Sequence, residues 1–355
     1  MFKKEETGRR KRGGFLPIVL FRLSLSMCIL AIFALGVYQA FRYFTGQSLM
    51  DLTRINPREV VVSLLTSDDI SKTISGILGV SVPTKNLLPG SGSSGVTKPG
   101  SPRPTPSGSI ILKFAVIADS HSDNEDLGKA LAQAKENGAK FVIGLGDYSD
   151  TGTLGELEKA KEVFSASGLP TYLTAGDHDL WDSRDKGKMA TANFSEVFGS
   201  PYQSFTASNI RFILLFNGDN YEGVDSVQRA WLDDLLHNTS QKSVKETLVF
   251  LHEPLYHPTS DRFMGAAIKT DEGKEANKEL TKQAEELRDL FKRVGVAGVF
   301  AGDIHAYSNY DDPQYGLRMV TAGAVTSKRN SQKPRYMMVD VYEDGGYNIS
   351  DIEIK

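Results

Sequence analysis

Apolar positions along this chain fall into three regimes. Between Leu23 and Phe41 they run on with no charged residue among them; between Pro89 and Ser109 they almost vanish into Gly, Pro and Ser; from Ile110 onward they recur as short runs separated by amphipathic stretches. In the third regime the runs Phe114–Ala118, Phe141–Ile143, Thr171–Ala175, Leu248–Leu251 and Val299–Ala301 are the length and composition of buried strands. Leu127, Ala130, Leu131 and Ala134 share one helical face that stops at Gly138, and Leu157, Ala160, Val163 and Phe164 share another that stops at Gly168-Leu169-Pro170. The spacing predicts a further strand over Ile210–Phe216, a helix over Ser226–His237, a strand over Thr247–Leu251 and a long amphipathic helix over Lys274–Arg293, with Ala276, Leu280, Ala284, Leu287 and Phe291 inward. The end changes character: Leu317–Ala322, Tyr336–Tyr342 and Tyr347–Ile354 read as strands, the last two joined through Asp344-Gly345-Gly346. This order predicts an α/β fold with mixed sheets facing each other, over residues 110–355, and no internal repeat accompanies it.

The first two regimes predict how that domain is tethered. Residues 1–14 hold Lys3, Lys4, Arg9, Arg10, Lys11 and Arg12, a basic tail that belongs on the cytoplasmic side. The uncharged run that follows would span about 28 Å as a helix, near the thickness of a bilayer core, so residues 15–44 are expected to form one retained transmembrane helix with the rest of the chain extracytoplasmic. A cleaved signal peptide is the rival; the length of the run and the lack of a small-residue cleavage site weigh against it. Residues 45–88 read as a juxtamembrane stalk, and 89–109 as a linker whose composition does not repay its ordering entropy. Protease added to intact cells would then reach the linker and release the domain.

Composition narrows the chemistry. A formal charge of −3 and a pI near 6.1 give no general attraction to nucleic acid. Cys28 is the sole cysteine and lies in the apolar run, which rules out an intramolecular disulfide, a cysteine metal site and a cysteine nucleophile in the domain. Five of the predicted strands end on Asp or His: Asp119-Ser120-His121, Gly146-Asp147, Gly176-Asp177-His178-Asp179, His252 and Gly302-Asp303-Ile304-His305. Oxygen and nitrogen donors without sulfur suit Mn, Fe, Mg or Zn. Two such ions sharing one carboxylate would clamp a phosphoryl group, which implies phosphoester hydrolysis by attack of metal-bound hydroxide.

In order and spacing these motifs resemble the calcineurin-like metallophosphoesterase family over roughly Lys113–Lys355, with Gly146-Asp147-Tyr148-Ser149-Asp150 as its second motif and Gln228-Arg229-Ala230-Trp231-Leu232 as a helix many members carry. The resemblance implies a four-layer α/β/β/α sandwich and a hydrolase with two divalent ions. Asp119, His121 and His305 would hold the first ion, Asp147 would bridge, and His252 would belong to the second with Asp177 and Asp303. His178 would act beside the phosphoryl oxygens as charge stabiliser or proton donor. Two departures fall at the second ion: Asp177 stands for the usual Asn, and Asp303 for the first His of the last motif. With both ionised, four carboxylates face two divalent ions, which predicts a site near zero net charge and a preference for harder ions over Zn²⁺. Asp150 and Asp179 read as loop-capping carboxylates, His257 as a surface-loop residue and His237 as a helix C-terminal dipole partner. Tyr148 is not at the spacing of the purple acid phosphatase ligand. The loops Asp182–Ser200 and His257–Glu272 would set specificity, with Arg184, Lys186, Lys188 and Arg262 as anion contacts. The substrate expected is a phosphomonoester or phosphodiester of open class. The alternative is a degenerate member that binds metal or a phosphorylated ligand without turnover; oligomeric state is not readable.

Overall fold

The computed structural model describes residues 105–237, 244–270 and 273–355, with only the backbone described over 267–270 and 273–276. The expected tail, transmembrane helix, stalk and all but the end of the linker lie outside these residues. Among the described residues no helix is long and apolar enough to cross a membrane.

Alternation of side chains along β1 (Ile110–Ile117) builds two layers at once. Phe114 and Val116 enter one apolar cluster, while Ala115 and Ile117 enter another on the opposite face. β1 pairs in parallel with β2 (Val142–Gly144), which pairs in parallel with β3 (Thr171–Leu173). On its other side β1 runs antiparallel to β12 (Arg335–Tyr342), and β12 to β13 (Tyr347–Glu353), giving the order β13-β12-β1-β2-β3. The second sheet is built on β5 (Ile210–Leu214), β6 (Glu246–Phe250), β9 (Gly298–Ala301) and β11 (Arg318–Thr321), mutually parallel, with β4 (Gln203–Ala207) and β10 (Ser308–Asp311) antiparallel at its edges.

The inner faces meet in an aromatic seam. Phe114 lies 5.2 Å edge-on from Phe212, Phe212 stacks 6.0 Å from Phe250, and Phe250 stacks 4.9 Å from Phe300, all fully buried. Each contributes about 1.5–3 kcal/mol by burial, so this seam supplies a substantial share of the cohesion between the sheets. Outside the first sheet lie α1 (Asn124–Glu136) and α2 (Leu154–Ser167), which bury Leu127, Leu131, Leu157 and Phe164 against Ala115 and Ile117. Outside the second lie α5 (Ser226–His237) and α6 (Lys278–Val294), burying Leu232, Leu287 and Phe291 against Ile213 and Val249. The layers are therefore α/β/β/α.

Local signals set the helix limits. Thr153 and Glu156 cap each other's backbone at the start of α2, and Gly168 ends it in the left-handed region at φ 69°. Four expectations change. The long helix starts at Lys278, because the Asn277 side chain accepts from Glu279 and Leu280 N–H and caps it there, while Gly273–Ala276 (β8) pairs with Ala267–Thr270 (β7) as a hairpin. Ala276 therefore belongs to a strand. Within the loop expected over Asp182–Ser200 lie the end of α3 (Trp181–Asp185) and all of α4 (Ala192–Phe198), whose Phe194 and Val197 are buried. The edge strands β4 and β10 are additional; each alternates half-buried with exposed residues, too weak a hydrophobic signal to stand out.

Parallel strands β1, β2, β3, β6 and β9 deliver their C-terminal ends to one edge, where α/β folds gather ligands.

Candidate metal centre

Three of the five strand ends, those of β1, β2 and β9, turn abruptly. Asp119, His121, Asp147, Asp303 and His305 all adopt positive φ, between 42° and 63°, a region non-glycine residues enter at a cost of about 1–3 kcal/mol. The turns bring the side chains back over the sheet edge, and close approach of two loops makes this possible. A Cβ at Gly176 would collide with the Asp147 carboxylate, and one at Gly146 with the Gly176 backbone.

Two donor groups result, and a further set, Asp147, Asp177 and His178, overlaps them. In the first, His121 Nε2 lies 3.0 Å from His305 Nε2 and 3.6 Å from Asp147 Oδ2, and His305 Nε2 lies 3.7 Å from Asp119 Oδ1. In the second, His252 Nε2 lies 3.4 Å from Asp177 Oδ1 and 3.6 Å from Asp147 Oδ1, and Asp303 completes the group with Asp177 and His252. Donors about 2.0–2.2 Å from a shared ion sit roughly 3–3.6 Å apart, so these separations are those of coordination edges. Asp147 touches both groups, one carboxylate oxygen toward each. All seven metal candidates read from the sequence converge.

The electrostatics fit a bound cation. Asp119, Asp147 and His252 are fully buried, and Asp119 Oδ2, Asp147 Oδ2, His121 Nδ1 and His252 Nε2 have no hydrogen-bond partner. Burial pushes the Asp119 carboxyl up and the Asp147 carboxyl up strongly. Burial also opposes charge on His252, yet Asp147 and Asp177 lift its pKa well above the ordinary value: the pocket attracts positive charge to the point where Nε2 aims. At Asp177 burial is outweighed by the nearby His252, with His178 and Arg262 adding to it, and its carboxyl is held low. Burial and the neighbouring His178 and His305 lower His121 to about 2, leaving it a neutral donor. His252 Nδ1 donates to the Leu145 carbonyl at 2.7 Å and His305 Nδ1 to the Arg329 carbonyl at 3.2 Å, a tautomer that leaves each Nε2 lone pair free.

Asp179 organises the loops, as a loop-capping carboxylate should. Fully buried, it accepts from the backbone N–H of Asp147, Tyr148, Ser149 and Gly176, and from the Ser149 hydroxyl. Asn217, which the motifs do not mark, accepts from His252 and Glu253 N–H and donates to the Glu253 carbonyl, tying the ends of β5 and β6. Tyr148 points into the helical layer against Phe164 and Phe194, with its hydroxyl accepting from Gly146 N–H, and takes no part in either donor group.

Cations change the expected charge count. Arg262 donates to Asp303 Oδ1 through Nη2. Arg329 Nη1 donates to His178 Nε2 at 3.2 Å, and Lys328 Nζ lies 3.2 Å from the His121 carbonyl and 3.4 Å from Asp150. The site is thus four carboxylates with Arg262, Arg329 and Lys328 around them, more attractive to a phosphate than the carboxylates alone imply. Arg184 is committed to Asp219 at 2.9 Å and Lys186 to Asp182 at 2.8 Å, so neither is a free anion contact.

His178 sits beside the bridge. Its N–H donates to Asp147 Oδ1 at 3.0 Å, its Nδ1 to the Asp150 carbonyl at 2.7 Å, and its ring packs 3.9 Å from half-exposed Trp181 and 4.6 Å from His121. His237 donates back to the Asp233 carbonyl in the last turn of α5, as expected. His257 differs from expectation: it is buried, accepts from Thr259 and Ser260 N–H and reaches the Ser308 hydroxyl, so it shapes its loop from inside.

A metallophosphoesterase fold carrying paired Asp/His donor groups defines the class, and residues 112–307, over half of the chain, match the model of the calcineurin-like phosphoesterase family. The chain belongs to that family of hydrolases. It is similar to serine/threonine-protein phosphatase CPPED1 of Mus musculus, 26% identical over 240 residues, 58% of this chain and 70% of that one. The Rattus norvegicus protein of the same name is 26% identical over 203 residues, 52% of this chain and 59% of the relative, so the match spans less than two thirds of that protein. Among solved structures, a dimetal phosphatase from Danio rerio superposes with TM-score 0.50 at 17% identity, over 70% of this chain and all of that one, a likeness of fold.

Proposed function

We propose that this sheet edge is the reaction centre of a two-metal phosphoesterase, with Asp119, His121 and His305 at one metal position, Asp147 shared, and His252, Asp177 and Asp303 at the second. The observation that carries the reading is the set of buried, unpartnered Asp and His atoms converging between the two donor groups. Bound divalent ions would polarise the phosphoryl oxygens and acidify water. The chain's own residues do the rest. His178 N–H and Asp179 hold the bridging loop, so Asp147 keeps one oxygen toward each group. With its Nδ1 proton committed to Asp150 O, His178 presents Nε2, and Arg329 supplies the N–H donors at that point. Arg329 is therefore read as the contact that stabilises charge on the phosphoryl oxygens, with His178 positioning it. Membrane anchoring, with the domain outside the cytoplasm, belongs to this reading on the strength of residues 1–44 alone.

The relatives' name, a serine/threonine-protein phosphatase, favours a phosphomonoester. The purified full-length chain, assayed with Mn²⁺ on an aryl phosphomonoester, a bis-aryl phosphodiester and a phosphothreonine peptide, should release product fastest from a monoester. A second reading, a binder without turnover, is favoured by Arg262 occupying Asp303. Metal uptake with no metal-stimulated product from any of the three esters would select it and sink the enzyme reading.

A further inference from the structure

Resting on the metal-centre reading, one contact goes beyond it. Asp303 stands where the family motif has a neutral His, and a carboxylate there adds a charge that a His would not. The structure supplies that charge's partner in Arg262. The loop holds Arg262 in place: buried His257 accepts from Ser260 N–H at 2.9 Å, the Ser260 hydroxyl accepts from Arg262 N–H at 3.1 Å, and buried Met264 donates its N–H to the Pro254 carbonyl at 2.8 Å. At the tip the Arg262 side chain is 47% exposed while the Asp303 side chain is 12% exposed, so the guanidinium reaches inward from solvent and has room to withdraw. Asp303 is held from behind, its N–H donating to Asp119 Oδ1 at 3.2 Å.

We propose that Arg262 is a built-in counter-cation of the second metal position, competing with the second divalent ion for Asp303. Together the Asp–Arg pair has the zero net charge of a neutral His, but half of it can move away. An ion arriving at Asp177 and His252 meets a carboxylate already engaged and a positive charge beside it, and both weaken its binding. The first position feels it less: among the described residues no Arg or Lys contacts Asp119 or Asp147, and Arg262 reaches Asp119 only as a more distant charge. The chain is thereby built to fill its two positions at different ion concentrations, with Arg262 setting the gap.

Mn²⁺ titration of the metal-stripped full-length chain tests this, read by calorimetry and by the electron paramagnetic resonance signal of a coupled ion pair. The parent should bind one ion tightly and a second weakly. Arg262→Gln should tighten the second by about 10- to 100-fold, the size expected for removing a unit charge several ångströms away at an effective dielectric constant of about 20, and tighten the first far less. Arg262→Lys, which keeps the charge, should stay near the parent. A second-ion affinity in Arg262→Gln that is unchanged or weaker overturns the proposal, as does equal tightening in Arg262→Lys, because charge is then not the cause. Absence of any Mn²⁺ binding in the parent would instead sink the metal-centre reading itself.

Discussion

The two halves of the centre differ in how they are walled. Asp119, His121, Asp147 and His305 are at most 3% exposed, and besides backbone groups and one another they touch His178 and His252. In the second half His252 is equally buried, but the Asp177 and Asp303 side chains are 18% and 12% exposed and reach polar partners on loops: Asn220 donates to Asp177 Oδ2 at 3.4 Å and Arg262 to Asp303. A sealed group of anions has no way to settle its charge except by binding a proton or a metal ion, whereas an open one can share it with side chains. On the proposed reading the first position is therefore the anchor of the site, and the second the adjustable one.

The largest effect expected is at the residue common to both. Asp147→Asn should remove ion binding at both positions and cut Mn²⁺-dependent hydrolysis by about 1,000-fold or more. The same change should raise the melting temperature of the metal-free protein by a few degrees, roughly 1 kcal/mol, because it removes a carboxyl whose ionised form burial strongly disfavours. Mn²⁺ should stabilise the parent but not the variant. A melting temperature that falls in the metal-free variant would show that Asp147 is a structural residue rather than a strained donor.

Next comes the shared support. Asp179→Ala orphans four backbone N–H groups and a hydroxyl in a buried loop, which should cost about 3–5 kcal/mol in urea unfolding. Since these bonds join the Asp147 and Gly176 loops, both metal positions should weaken together. Loss at one position alone would show that the halves are supported separately.

The smallest effect separates the halves. Asp303→Ala should lower occupancy of the second position only, and Asp303→His, restoring the family's neutral donor, should keep two ions and move the preference toward zinc. Metal content of the two variants checks this. Parent-like metals and amounts in both would mean that Asp303 is not a donor and that Arg262 holds it permanently.

The residues at each strand's own end were readable from the chain alone. Asp119, His121, Asp147, His252 and His305 were legible because a buried strand fixes the position of the residue that follows it, and the strand is visible in its apolar run. The helix faces of α1 and α2 were legible for the same local reason. The start of α6 was not, since Lys274–Ala276 continue its apparent periodicity while pairing as a strand with residues earlier in the chain. Tertiary structure alone decided the pairings across the chain: Asp179 beneath residues 147–149, Arg262 on Asp303 from 41 positions away, and Arg329 on His178 from 151. No periodicity or motif records such a pairing, because it depends on how loops from separate strands fold over the same edge. The charge of the site, and with it the difference between its two metal positions, was therefore settled only when the loops met.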